Sequence, residues 1–194
     1  VTRADGSRAP GRPASASRDD VLRAAIAVFM AGQRLDVNAI ALQLGVSRAS
    51  IYRWFGSREG LLGAAISRQL ERVAAYADRQ THATGGERLN LILDHTIHAL
   101  VENDALRTYF DNESNSALRM ITRSDGPVHQ AAVRLLESLI ERAESEGYRP
   151  PIERATLAYA LVRLWDAFLY NDAVAGFRGD VERLRQVQDA LLRT

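Results

Sequence analysis

The sequence predicts an all-α fold: an N-terminal three-helix unit, one long connecting helix and a larger C-terminal helical part. Three observations carry that prediction. Apolar residues recur at helical spacing in segment after segment, the first set being Val21, Leu22, Ala25, Ile26 and Phe29. Nothing alternates with period two for long enough to make a strand, and no stretch repeats. Between the periodic segments stand glycines and prolines that end helices, among them Gly32, Gly45, Pro127, Gly147, Pro150 and Pro151.

Size and composition bound what this fold can do. With 194 residues, 46% of them hydrophobic, the chain can bury one or two proper cores. It has no cysteine, hence neither a disulfide framework nor a thiolate metal site. No run reaches the roughly 18 apolar residues of a membrane span and the first residues form no apolar leader, which makes the cytoplasm the expected location. The net charge of +1 hides an asymmetry, since residues 1–60 hold nine arginines against five acids and the remainder sixteen against nineteen. A basic end on a mildly acidic body suits a protein that meets a polyanion at that end.

Residues 1–16 offer little apolar surface and read as a flexible basic arm carrying Arg3, Arg8 and Arg12. Such an arm can enter a minor groove, although a solvated tail explains the same composition. Ser17 and Asp20 form a capping-box pattern before a first helix that runs to Ala31 and stops at Gly32. Asp36 caps a second helix, Val37 to Leu44, and Gly45 can take the left-handed conformation that ends it. Ser47 caps a third helix starting at Arg48. If Ile51 and Phe55 share its buried face, Ala49, Ser50 and Arg53 turn outward, with Tyr52 and Trp54 on the flanks.

This is a helix-turn-helix pattern whose outward residues suit double-stranded DNA. Small Ala49 and Ser50 allow close approach to a groove, and Arg53 can donate two hydrogen bonds to a guanine edge. The Tyr52 hydroxyl and the Trp54 indole NH can reach phosphates on the groove walls. Arg48 and Arg58 bracket the helix with positive charge, and the helix starts at Asp36, Val37 and Ser47 present amides to phosphate. A hairpin used only for packing would share the apolar pattern but has no need of these outward residues.

The segment IYRWFGSREGLL resembles the TetR family of bacterial transcriptional regulators, whose recognition helix ends in Tyr-x-x-Phe and is followed by Ser-Lys/Arg-Glu-x-Leu. Tyr52, Phe55, Ser57, Arg58, Glu59 and Leu62 match in order, and the resemblance covers about residues 18 to 66. Trp54 stands where His is common in the family and Arg58 where Lys is common, which bears on base preference. The resemblance implies a DNA-binding domain at 17–62 and a C-terminal ligand-binding and dimerisation domain at 63–194, with inducers bound inside the latter. The segment LWDAFLYNDAVAG is similar to regulators of lactone degradation.

In the C-terminal part, Ser57 caps a long helix from Arg58 to Gln80, and residues 81–86 read as a loop. Stripes at Leu89 to Leu100 and Val133 to Ile140 predict two further helices, with a broken, polar helical segment from Asp104 to Thr122 between them. A helix from about Glu153 to Val174 carries two adjacent seams, one with Leu157, Leu161, Leu164 and Phe168 and the other with Ala158, Val162, Trp165 and Leu169. Asp180 caps a last helix bearing Val181, Leu184, Val187, Leu191 and Leu192. Two seams imply burial on two sides, so a homodimer through helices 153–174 and 180–193 is expected.

His95 and His98, three apart, lack a third metal ligand and read as structural or pocket-lining, so no metal and no cofactor is expected. His82 and His129 read as surface residues. No nucleophile elbow, phosphate loop or metalloprotease pair is present, which argues against an enzyme. Aromatic and polar residues interleave on the C-terminal helices, among them Tyr109, Phe110, Asn112 and Met120, then Trp165, Phe168 and Asn171, with His98 near by in sequence. Each alone reads as ordinary core; together they suit a mostly apolar pocket with a few hydrogen-bonding groups. The expectation is a homodimeric repressor on a palindromic operator, released by a small, largely apolar effector. A ligand-dependent activator on the same fold, a helical enzyme for a small hydrophobic substrate, and a helical interaction module are the alternatives.

Overall fold

The computed structural model describes residues 16–170 and 180–193; most of the expected arm, Asn171 and the expected helical stretch 171–174 lie outside the described residues. Among the described residues every regular element is helical, in the order α1 Arg18–Met30, α2 Val37–Leu44, α3 Arg48–Phe55, α4 Arg58–Gln80, α5 Gly85–Val101, α6 Asp104–Thr122, α7 Pro127–Ser145, α8 Arg154–Tyr170 and α9 Val181–Leu192. No helix among them is long and apolar enough to cross a membrane.

Local chemistry sets most boundaries. Ser17 and Asp20 form the reciprocal capping box of α1. Asp36, Ser47 and Ser57 each accept an amide in the first turn of α2, α3 and α4. Gly45 ends α2 at φ 64°, a conformation that a side chain would strain, and so sets the turn into α3. One boundary had a tertiary cause that composition hides: α5 begins at Gly85, inside the predicted loop, because the Gly85 amide donates to the Glu146 carboxylate at 2.7 Å.

The long helix α4 is the spine. Its N-terminal residues Leu61 and Leu62 join Val21, Ile40 and Ile51 in the core of the three-helix unit, and Ile66 and Leu70 continue into the C-terminal core. At Gly63 a Cβ would lie 2.7 Å from Pro127 Cγ, so the missing side chain lets α7 start against α4. Asp78, near the end of α4, receives Arg88 of α5 and Arg142 of α7, each at 2.6 Å. The predicted break in α6 is a kink at Glu113 (φ −135°, ψ 39°).

Most of the two seams of α8, expected to face a partner, is covered within this chain. Leu157, Leu161, Ala158, Val162, Trp165 and Leu169 are all buried within this chain, and Leu184 of α9 is fully buried. A single helix packed between α7 and α9 has both flanks covered by its own fold, which sequence periodicity cannot distinguish from an external partner. The outward faces are less apolar: Tyr159, Arg163 and Ala167 on α8, and Val187 and Ala190 on α9, with Leu164, Phe168 and Leu191 half-buried beside them.

Candidate nucleic-acid interface and ligand cavity

α2 and α3 present the helix-turn-helix as a unit. Ile51 is fully buried under α3, while Arg48, Ala49, Tyr52 and Arg53 are exposed and Ser50 and Trp54 are half-buried. Arg48 donates to the Asn38 side chain at 3.1 Å, bracing α3 on α2 while remaining at the surface. The Ser50 hydroxyl lies 3.0 Å from that of the capping Ser47. Val37 is a core residue, so only its main chain remains for a phosphate contact, whereas Asp36 stays exposed as the cap of α2. Phe55 is half-buried, with the Arg18 guanidinium 4.6 Å from its ring centre.

Arg58 is placed elsewhere than expected. Its Nε donates to the Leu35 carbonyl at 2.9 Å, and its Nη1 and Nη2 donate to the two carboxylate oxygens of Glu113 at 3.3 and 2.9 Å. Burial opposes the charge, but Glu113 more than offsets it and the guanidinium pKa rises. A planar fork held at three points fastens α4 to the α1–α2 loop and to the kink of α6. The same residues border a cleft of about 460 Å³ shared with Phe29, Tyr109 and Asn112.

Deeper in the C-terminal half lies a small, partly open cavity of about 40 Å³, walled by Ile66 and Leu70 of α4, Ile121 of α6, and Val162, Trp165 and Tyr170 of α8. Two polar side chains also line it, His129 of α7 and Asp166 of α8. His129 is 2% exposed, not the surface residue expected, and among the described residues neither of its ring nitrogens has a hydrogen-bond partner. Its Nδ1 lies 3.4 Å from Asp166 Oδ2, which also receives Arg163 Nη1 at 3.1 Å. Burial pushes the Asp166 pKa up to about 7 against the pull of Arg163, and burial with Arg163 pushes that of His129 down.

Residues 84–193 match the family model for the tetracyclin repressor-like C-terminal domain, and residues 21–65 match that for bacterial regulatory proteins of the tetR family. The chain belongs to the TetR family. It is a TetR-type transcriptional regulator, and the helix-turn-helix is its DNA-binding unit. Among curated proteins it is similar to the HTH-type transcriptional repressor KstR of Mycolicibacterium smegmatis (27% identity over 157 residues, 76% of this chain and 72% of that protein). The KstR of Mycobacterium tuberculosis matches at 25% identity over 76% of this chain and 67% of its own length. Among solved structures, the R. erythropolis transcriptional repressor QsdR shares the fold with a TM-score of 0.81 at 23% identity, covering 90% of this chain and 93% of that one. A TetR regulator from Rhodococcus sp. RHA1 aligns with a TM-score of 0.63 at 20% identity over 90% and 94% of the two chains.

In this TetR-family chain the residues expected around one pocket are dispersed. Trp165 walls the cavity, and Phe110 stacks on the cavity residue Tyr170 with ring centres 5.3 Å apart. Tyr109 and Asn112 border the cleft beside Arg58, and Met120 borders a groove on the opposite side of α4, 3.8 Å from the Tyr109 hydroxyl. His98 is 44% exposed in its side chain, with Nδ1 2.8 Å from the Asp94 carbonyl, and His95 packs against Tyr76. Phe168 is half-buried beside the outer face of α8. The polar pair that does line the cavity comes from residues 37 positions apart on two helices, and the sequence signals for it were local: Asp166 sits inside an apolar seam, and His129 falls on the stripe of Ala132, Leu136 and Ile140.

Proposed function

We propose that this chain is a repressor that binds a palindromic operator as a homodimer and is released by a small, largely apolar ligand. The observation that carries the reading is α3, where exposed Arg53, Tyr52 and Ala49 surround a buried Ile51 on a helix short enough to lie in a major groove. The dimer is assigned to the outward faces of α8 and α9, where half-buried Leu164 and exposed Val187 stand near Ala167 and Ala190. KstR and QsdR are repressors, which supports repression, and FadR of Bacillus subtilis, which shares the fold, binds stearoyl-CoA, whose acyl chain is a precedent for a long apolar body in this fold.

The proposed coupling runs through α4 and α6. Both wall the cavity, and Arg58 at the start of α4 is held to Glu113 at the kink of α6, beside the three-helix unit. A cavity of about 40 Å³ accommodates only a few waters, so a larger ligand has to part its walls. Parting α6 from α4 displaces the anchor of the recognition helices, and the resulting coupling, typically about 1–3 kcal/mol, is reciprocal between operator and effector.

A gel-shift titration against the DNA upstream of the protein's own coding sequence, repeated across salt concentrations, tests the reading. Arg53→Ala is expected to lose about 1–3 kcal/mol of discrimination at one base position per half-site. Equal losses on operator and random DNA would contradict the role of Arg53, and a monomer at micromolar concentration would contradict the dimer.

A further inference from the structure

Within the cavity just described, His129 is a polar side chain that the fold leaves without a hydrogen-bond partner among the described residues, and it stands beside Asp166, which Arg163 holds by one oxygen. Both are at least nine-tenths buried, at 2% and 9% exposure, on walls that are otherwise apolar or aromatic. Trp165 is accounted for, since its indole NH donates to Gln188 Oε1 at 3.3 Å and thereby ties α8 to α9. Arg163 is also accounted for, donating to the Thr122 carbonyl at 3.0 Å and to Asp166. The His129 ring lies edge-on to Tyr159, at 5.6 Å between centres, and both of its nitrogens lack a partner among the described residues. An imidazole used only for packing is better replaced by an apolar side chain, because buried polar groups without partners are destabilising.

We propose that His129 and Asp166 form the head-group site of the effector cavity, and that the effector is an uncharged amphiphile with one hydrogen-bonding head, such as a ketone, ester or alcohol, on an otherwise apolar body. This rests on the reading of the C-terminal half as the effector-binding part. Charge selects the class. A carboxylate head would meet the Asp166 carboxyl group and a neutral imidazole in a site with little water. An ammonium head would compete with the Arg163 guanidinium, which already holds Asp166 Oδ2 at 3.1 Å. A carbonyl or hydroxyl oxygen needs only one donor from this pair, and a hydroxyl can also donate to the second group. The apolar body then lies along Ile66, Leu70, Ile121 and Val162, parting α4 from α6 and α8.

The test uses four probes with one eight-carbon skeleton: 2-octanone, octan-1-ol, octanoate and octylammonium, titrated calorimetrically into the full chain at pH 7.5. The two neutral probes are expected to bind at least about tenfold tighter than either ion, since the shared tail cancels and the head decides. His129→Phe is expected to weaken 2-octanone binding by about fivefold or more and to raise the Tm of the ligand-free protein by about 2 °C or more. His129→Gln, which keeps a donor and an acceptor, is expected to stay within a few-fold of the unaltered protein. His129→Leu serves if the Phe variant does not fold; failure of both to fold assigns His129 a structural role and overturns the proposal. Equal affinity for octanoate or octylammonium overturns it, as does undiminished 2-octanone binding by the Phe variant, or no binding of any probe. A protein that shifts operator DNA yet ignores all four probes loses the head-group assignment and keeps the regulator reading. One that binds the neutral probes and no DNA does the reverse.

Discussion

Helix α3 of the DNA-binding unit and the core helix α8 place their polar groups in opposite ways. On α3, Arg53 and Tyr52 project from a two-turn helix into solvent, and the one fully buried side chain is Ile51, with Trp54 and Phe55 packed partly against the core. On α8, Asp166 lies among Leu161, Val162, Trp165 and Leu169 and meets a histidine from another helix. A DNA-facing residue has to be free of tertiary partners, so short-range periodicity exposes it. A ligand-facing residue has to be enclosed, so only the assembled helices create its surroundings.

The sharpest way to break the comparison is Leu184→Ala. If α9 is core, as its full burial states, the substitution leaves a cavity and costs about 2–5 kcal/mol of stability by chemical denaturation. Val187→Arg on the outward face of the same helix is expected to leave the folded subunit intact and to shift sedimentation toward monomer. The reverse pattern would restore the seam on α9 to the subunit interface.

The pH dependence of α8 comes next. The folded Asp166 pKa is raised to about 7, above its unfolded value, so the folded state holds a proton that the unfolded chain has already released. Stability therefore falls as pH rises from about 4 to 7 and levels off above that. His129 contributes with opposite sign, its lowered pKa making stability rise with pH up to its unfolded value near 6.5. Asp166→Asn removes the first contribution alone. Relative to that variant, the unaltered protein is expected to lose roughly 1–3 kcal/mol between pH 5 and 8, and a constant difference across that range would show Asp166 ionised throughout.

The smallest effect separates two arginines. Arg48→Ala, at the surface of α3, is expected to lower the salt slope of operator binding by about one unit. Arg58→Ala is expected to leave that slope unchanged while weakening effector response, because its guanidinium is held by Leu35 and Glu113. A drop of one unit for Arg58→Ala would return it to the phosphate-contact set.

Arg58 also marks how far sequence reasoning reached. The motif placed it one residue past a cap, and the cap is there, but its direction was set by Glu113, 55 positions away. His129 lies on the same stripe of α7 as Ala132, Leu136 and Ile140, a signal of burial that its polarity masked, and the acid beside it comes from α8. The seams of α8 were read correctly as apolar, but six of their eight residues are covered by this chain itself, since periodicity reports that a face is covered and not what covers it. The helices themselves, the turn at Gly45, the caps at Ser17, Asp36, Ser47 and Ser57, and the kinked α6 were legible, because each depends on contacts within a few residues. The sequence by itself thus determined the all-α fold and the DNA-binding unit. Tertiary structure decided the ion pair between α4 and α6, the owner of the α8 seams and the polar pair in the cavity, because each of these depends on side chains that only long-range packing brings together.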